Sequence, residues 1–284
     1  MQDFKYGRIL RYTQDAYIGD SLGLYGEYAL NEMALLQQLI KPNDTVIEVG
    51  ANIGSLTIPI AQICKEGSGR VYAFEPQRIT FQMLCGNVVL NNLFNVWTFN
   101  QGGGSKPGKI KISDGLYKGE NKDPDYISGN NGNFQLKNNP GEYEIDIITL
   151  DGLNLKCCDL IKIDAEGMEP EILDGAWNLI KQSKPIISME GNYTDGGKIA
   201  VKKLQSMGYT VYLAHLNLFG KANYFETKRN IFLEYGKFYK DINGEIKQEL
   251  NNIISNNWLC VPKERNIKVN MPIIRIEGEK FMAT

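Results

Sequence analysis

The chain has 284 residues, 43% of them hydrophobic and 23% charged, a balance that excludes wholesale disorder. Its 31 Lys and Arg against 33 Asp and Glu give a formal net charge of -2, which argues against a general polyanion binder and carries no strong nucleic-acid signal. No apolar run reaches the ~18 residues of a membrane span, and Met1 to Lys5 lack the basic-then-apolar pattern of a signal peptide. The five Cys are never spaced C-x-x-C, so we expect a reducing, cytoplasmic setting without a disulfide framework or structural zinc. The single histidine, His215, excludes any mechanism that draws two imidazoles from one chain.

In chain order, short β-branched runs alternate with segments of helical periodicity. Residues 45–49 read as a strand and 53–64 as a helix despite Pro59, then 70–75 as a strand and 78–90 as a helix. Further strands are expected at 95–99, 159–164, 185–190 and 209–213, with helices at 170–180 and 198–207. This rhythm predicts an α/β fold, a mostly parallel sheet with helices on both faces. Residues 101–142 are rich in Gly, Asn, Pro, Asp and Lys and read as a lid-like insertion. After about residue 235 the alternation fades into one polar helix and extended segments. We expect a single domain with a core over 28–235 and a C-terminal appendage over 236–284.

The segment Glu48-Val49-Gly50-Ala51-Asn52-Ile53-Gly54 follows a strand and opens a helix. Gly50 and Gly54 permit a tight turn with bare backbone near a ligand, and Asn52 tolerates a positive φ. Glu75 ends the second strand, 25 residues beyond Gly50, where a carboxylate meets a ribose diol. The dinucleotide fingerprint requires G-x-G-x-x-G, but Asn52 occupies the position of its second glycine. A nucleoside without a pyrophosphate fits better, and S-adenosyl-L-methionine (SAM) is such a ligand, with Glu48 ordering its ammonium. A second acidic signature, Asp159 to Glu169, ends another strand, and Asp164 lies nearest the strand end where open α/β sheets bind ligands. Glu166 suits a cap for the helix near Pro170, and Lys162 suits a partner for a carboxylate.

Together these residues resemble the FkbM family of SAM-dependent methyltransferases. The likeness runs from about Glu32 to Asn192 through the glycine turn, Phe74-Glu75-Pro76, Asn91-Asn92, Thr149-Leu150-Asp151 and Ile161 to Gly167. It implies a Rossmann-like class I methyltransferase fold, a seven-stranded sheet with an antiparallel edge strand, and O-methylation of sugar or similar hydroxyls. It also implies that Glu48, Gly50, Asn52 and Gly54 line the methionine end, Glu75 the ribose, Gln101 and Gly102 the adenine, and Asp164 the reacting methyl.

An alcohol is a poor nucleophile, so a base or metal should assist its deprotonation. Asp164, Glu190 at the end of the next strand, and His215 are the candidates. Asp164, Glu190 and Asn192 permit a Mg²⁺ ion without requiring one, so the metal stays open. The partner is expected to be a small-molecule or glycan acceptor. Tyr25, Tyr28 and the loop Gly129 to Phe134 are candidate contacts. Three alternatives compete: an RNA ribose 2'-O-methyltransferase, an NAD-dependent oxidoreductase, and a non-catalytic cofactor-binding protein. The first would want a lysine where Glu190 stands, and the second a different glycine spacing. Against the third stand the acidic residues at both strand ends.

Overall fold

The computed structural model describes residues 1–13, 15, 17–112, 143–165, 167–191, 193–234, 238–240, 246–248, 254–278 and 280–284. Seven strands form the main sheet: β1 (Thr45–Val49), β2 (Arg70–Phe74), β3 (Val96–Phe99), β4 (Leu160–Ile163), β5 (Ile186–Glu190), β6 (Tyr209–Asn217) and β7 (Ile254–Pro262). Their spatial order is β6-β7-β5-β4-β1-β2-β3, parallel except for β7. The order reverses beside β1, and its glycine turn opens at that switch point, where doubly wound sheets bind ligands.

Period-2 alternation divides the strands between two cores. Val46, Val71, Ala73, Leu160, Ile186 and Leu259 pack on the side of α2 (Leu30–Leu39), α3 (Thr57–Lys65) and α4 (Arg78–Leu90). Ile47, Val49, Ile161, Ile163, Ile187, Met189 and Leu213 pack on the side of α5 (Glu169–Gly175), α6 (Trp177–Ser183) and α7 (Asp195–Ser206). Helices thus cover both faces, as the sequence predicts. Before α2, a hairpin (Gln2–Phe4 with Gly7–Ile9) and α1 (Ile18–Tyr25) lean on the first core.

Several expectations need correction. The antiparallel strand is not at the edge. β7 returns from the opposite end of the sheet and inserts between β5 and β6, where both of its sides find backbone partners. It comes from the stretch read as an appendage. Also in that stretch, Phe238–Lys240 pairs antiparallel with Ile246–Gln248, while residues 241–245 and 249–253 lie outside the described residues. The helix expected at 53–64 begins at Thr57, because Pro59 lacks an N–H and is tolerated only in a first turn. The helix expected at 170–180 is two, α5 and α6, broken at Ala176. At Gly175 the chain passes so close to the Gly104 carbonyl that an added Cβ would lie 2.0 Å from it. The start of the expected insertion is ordered as strands: Gln101–Gly103 and Gly108–Ile112 flank Tyr143–Ile148 in a small sheet. Residues 113–142, including the loop Gly129 to Phe134, lie outside the described residues.

Candidate active site

The glycine turn rises from the carboxyl end of β1 and is tied down by the amides of Gly50 and Ala51, both donating to the Phe74 carbonyl at 2.9 Å. Gly50 (φ 86), Asn52 (φ 50) and Gly54 (φ 89) all have left-handed backbone, as the residue types suggest. Gly50 has a second constraint: an ideal Cβ there would lie 1.9 Å from the Asp164 carbonyl oxygen. Because the β1 turn and the end of β4 meet at this contact, the two sequence signatures form one site.

Glu75 is 5% exposed, and its carboxylate accepts from the amides of Asn52 (Oε2, 2.9 Å) and Gln77 (Oε1, 2.9 Å). Each oxygen keeps lone pairs for another donor. Burial pushes the carboxyl up to about 7 despite these two bonds. Asn100 holds the loop from behind, donating through Nδ2 to the carbonyls of Glu75 and Pro76 at 2.9 Å. Gln101 and buried Gly102 follow directly, so both lie beside the Glu75 loop.

Glu48 is buried on β1, where Oε2 accepts from the Thr57 hydroxyl at 2.6 Å. Its carboxyl is also pushed up to about 7 by burial, while Lys162 pulls it back. Lys162, the register neighbour of Glu48 on β4, is buried and places its ammonium 3.7 Å from Glu32 Oε1 and 3.4 Å from Asp164 Oδ2. Asp164 stands just beyond β4 with its side chain 49% exposed. Glu190, the last residue of β5, lies on the same sheet face as Lys162 and Asp164, since Ser188 pairs with Lys162. Burial, with the charges of Asp164 and Glu169, pushes the Glu190 carboxyl up to about 8.

The geometry separates His215 from this group. It lies inside β6, level with Asn256, rather than after the strand, and it shares the side of Leu213, on the second core. Glu190 and Asp164 share the side of Ile186 and Leu160, on the first core. His215 is also two strands from β5, ~9–10 Å at ordinary strand spacing. Glu166 and Asn192 lie outside the described residues. It is Glu169, at the start of α5, whose Oε1 accepts from the turn amides of Ala165 (3.3 Å) and Gly167 (3.2 Å). Among the described residues, no three His, Cys, Asp or Glu side chains come together in a group able to hold a metal ion.

Three neighbours complete the site. Tyr28 precedes α2, and burial together with the charges of Asp164 and Glu32 raises its phenol, which stays a hydrogen-bond donor. Glu32 is 7% exposed on α2, and its carboxyl is raised chiefly by burial. Its signal in the sequence is an acid one helical turn before buried Leu36, in the apolar stripe of α2. Asn257, buried on β7, lies close enough to Glu32 to favour its ionised form and pairs in register with Glu190. No local signal marks it, because it reaches the site only through the insertion of β7.

The model of the methyltransferase FkbM domain matches residues 48–250, more than half of the chain. A curated relative, "Methyltransferase 1" of Beauveria bassiana, is 26% identical over 158 residues, covering 49% of this chain and 63% of the relative. Among solved structures, the methyltransferase FkbM of Methylobacillus flagellatus is 19% identical with a TM-score of 0.46, covering 63% of this chain and 42% of that one. An O-methyltransferase of Bacillus cereus in complex with SAH is 14% identical with a TM-score of 0.44, covering 82% and 79%. The chain therefore spans less than two thirds of the curated relative and of the FkbM structure. Its strand order and its single inserted antiparallel strand make the fold a Rossmann-like class I methyltransferase fold. Both site signatures lie within the matched stretch, and the chain belongs to the FkbM methyltransferase domain family.

Proposed function

We propose that this protein is a SAM-dependent O-methyltransferase acting on a hydroxyl of a sugar, glycan or similar hydroxylated metabolite. The observation that carries the reading is the set Glu48, Glu75, Asp164 and Glu190, which converges at the carboxyl ends of adjacent strands around the glycine turn. Buried carboxylates are costly without a cation or donors. The residues present fit SAM on that ground: its ammonium suits the Glu48 end, its ribose diol the free lone pairs of Glu75, and its sulfonium the exposed Asp164. Gln101 and Gly102, beside the Glu75 loop, suit the adenine. When bound, SAM supplies an electrophilic methyl group for in-line displacement.

The remaining chemistry belongs to this chain. Asp164, at the exposed strand end, orients the reacting centre through its charge. Glu190 takes the acceptor's hydroxyl proton at a carboxylate oxygen. A carboxyl raised to about 8 is a stronger base than an ordinary one and is partly ionised at neutral pH. Tyr28, keeping its proton, donates a hydrogen bond from its phenol to an oxygen of the acceptor. The excess of carboxylates favours an uncharged acceptor over a phosphorylated one. The five free thiols are consistent with a cytoplasmic location.

The test is a radiolabelled methyl-transfer screen over sugars, glycans, small hydroxylated metabolites and RNA, followed by Glu190→Gln on the acceptor found. We expect turnover to fall by roughly 10²–10⁴ while SAH affinity is kept. Unchanged turnover would remove Glu190 from the mechanism, and transfer to RNA alone would replace the acceptor class.

A further inference from the structure

Lys162 is a buried ammonium at 3% exposure in a cluster dominated by acids. Glu32 faces it from α2, Glu48 from β1, Asp164 from its own strand and Glu190 from β5, while the Tyr28 phenol approaches from the segment before α2. Asn257, from β7, reaches it through Glu32. Two carboxylates, Asp164 and Glu32, thus lie 3.4 and 3.7 Å from one ammonium, both longer than a tight ion pair, with Glu48 in register beside it. A lysine present only to neutralise Glu32 would have no need to reach Asp164, whose side chain is 49% exposed.

We propose that Lys162 is a positioning residue of the methyl-transfer site: from its place between Glu32 and Asp164, its charge fixes the Asp164 carboxylate at the strand end and balances the acids around it. The proposal rests on the reading of this pocket as a SAM site. Without the ammonium, Glu48 and Glu190 lose the charge that favours their ionised forms and hold protons to higher pH. Binding a ligand with an ammonium group then requires deprotonation of Glu48, so the binding profile moves to higher pH. Loss of a purely structural lysine would weaken binding by the same factor at every pH.

The experiment is titration of wild type, Lys162→Met, Lys162→Arg and Glu32→Gln with SAH from pH 6 to 9, with circular dichroism to confirm folding. For Lys162→Met we expect the midpoint of the affinity profile to rise by about one pH unit, a roughly tenfold loss at pH 6.5 that fades by pH 9. Lys162→Arg should restore the wild-type profile. Glu32→Gln removes an acid that opposes ionisation of Glu48, which receives the SAH ammonium, so its midpoint should fall. This variant decides the matter if Lys162→Met does not fold. A folded Lys162→Met protein whose profile runs parallel to wild type, or a midpoint for Glu32→Gln that stays or rises, would overturn the proposal. Failure of wild type to bind SAH at any pH would instead overturn the reading of the pocket itself.

Discussion

Replacing Gly50 by Ala tests whether the glycine turn and Asp164 form one unit. The new Cβ would lie 1.9 Å from the Asp164 carbonyl oxygen, whereas carbon and oxygen in close contact stand ~3.3 Å or more apart. The turn and the end of β4 would have to separate by about 1.4 Å. Both are held by parallel ladders, with Val49 opposite both Ile163 and Phe74. The left-handed backbone at φ 86 adds ~1–2 kcal/mol for any residue with a Cβ. Together these costs come to about 3–5 kcal/mol, within the range of severe single substitutions. That is a large part of an ordinary folding stability of about 5–15 kcal/mol. Urea denaturation reads the loss as a lower midpoint, and SAH titration of the folded fraction should show affinity reduced at least about tenfold. Gly108→Ala is the control, since a Cβ there meets nothing within 4 Å. It should stay within about 0.5 kcal/mol of wild type. A Gly50→Ala protein within about 1 kcal/mol of wild type, with unchanged SAH affinity, would refute the reasoning.

Two further outcomes follow from the same geometry. Glu48 and Glu75 near 7 and Glu190 near 8 lie above the usual carboxyl value, so the fold favours their protonated forms. Their contribution to stability is fully present below the ordinary carboxyl range and is lost as pH rises through 7 to 8. SAH affinity should rise as pH passes 7, because the ionised forms of Glu48 and Glu75 receive its ammonium and ribose. Calorimetric titration across it checks this, and a flat affinity profile would contradict it. His215→Ala should leave SAH affinity and turnover within about twofold of wild type, well under 1 kcal/mol. A loss of turnover without a loss of SAH affinity would return His215 to the list of bases.

Much of the sheet is legible in the sequence because each parallel strand is buried on both faces and reads as a short β-branched run. Thr45–Val49, Arg70–Phe74, Leu160–Ile163 and Ile186–Glu190 fall where those runs stand, and α4 spans 78–90 as expected. β7 is not legible in this way. Its Ser255-Asn256-Asn257 start is polar, and its place is set by partners far away in the chain, β5 and β6. The glycine turn, Glu75 and Asp164 can be read from local motifs because backbone conformation and strand ends dictate those residue types. Glu32 carries only its place in the apolar stripe of α2, and Asn257 nothing local. The contact of Glu32 with Lys162 depends on how α2 packs over the sheet, and the place of Asn257 on where β7 inserts. Strand parity could have set His215 aside. Its two-residue spacing from buried Leu213 puts both on one face, and that face belongs to the second core.

The most direct test of the central claim is a thermal-shift measurement on the wild-type chain with SAH, with NAD and without ligand. A SAM site predicts stabilisation by SAH, ~2.7 kcal/mol at 100 times its Kd, and none by NAD. Stabilisation by NAD with no shift from SAH would contradict the account.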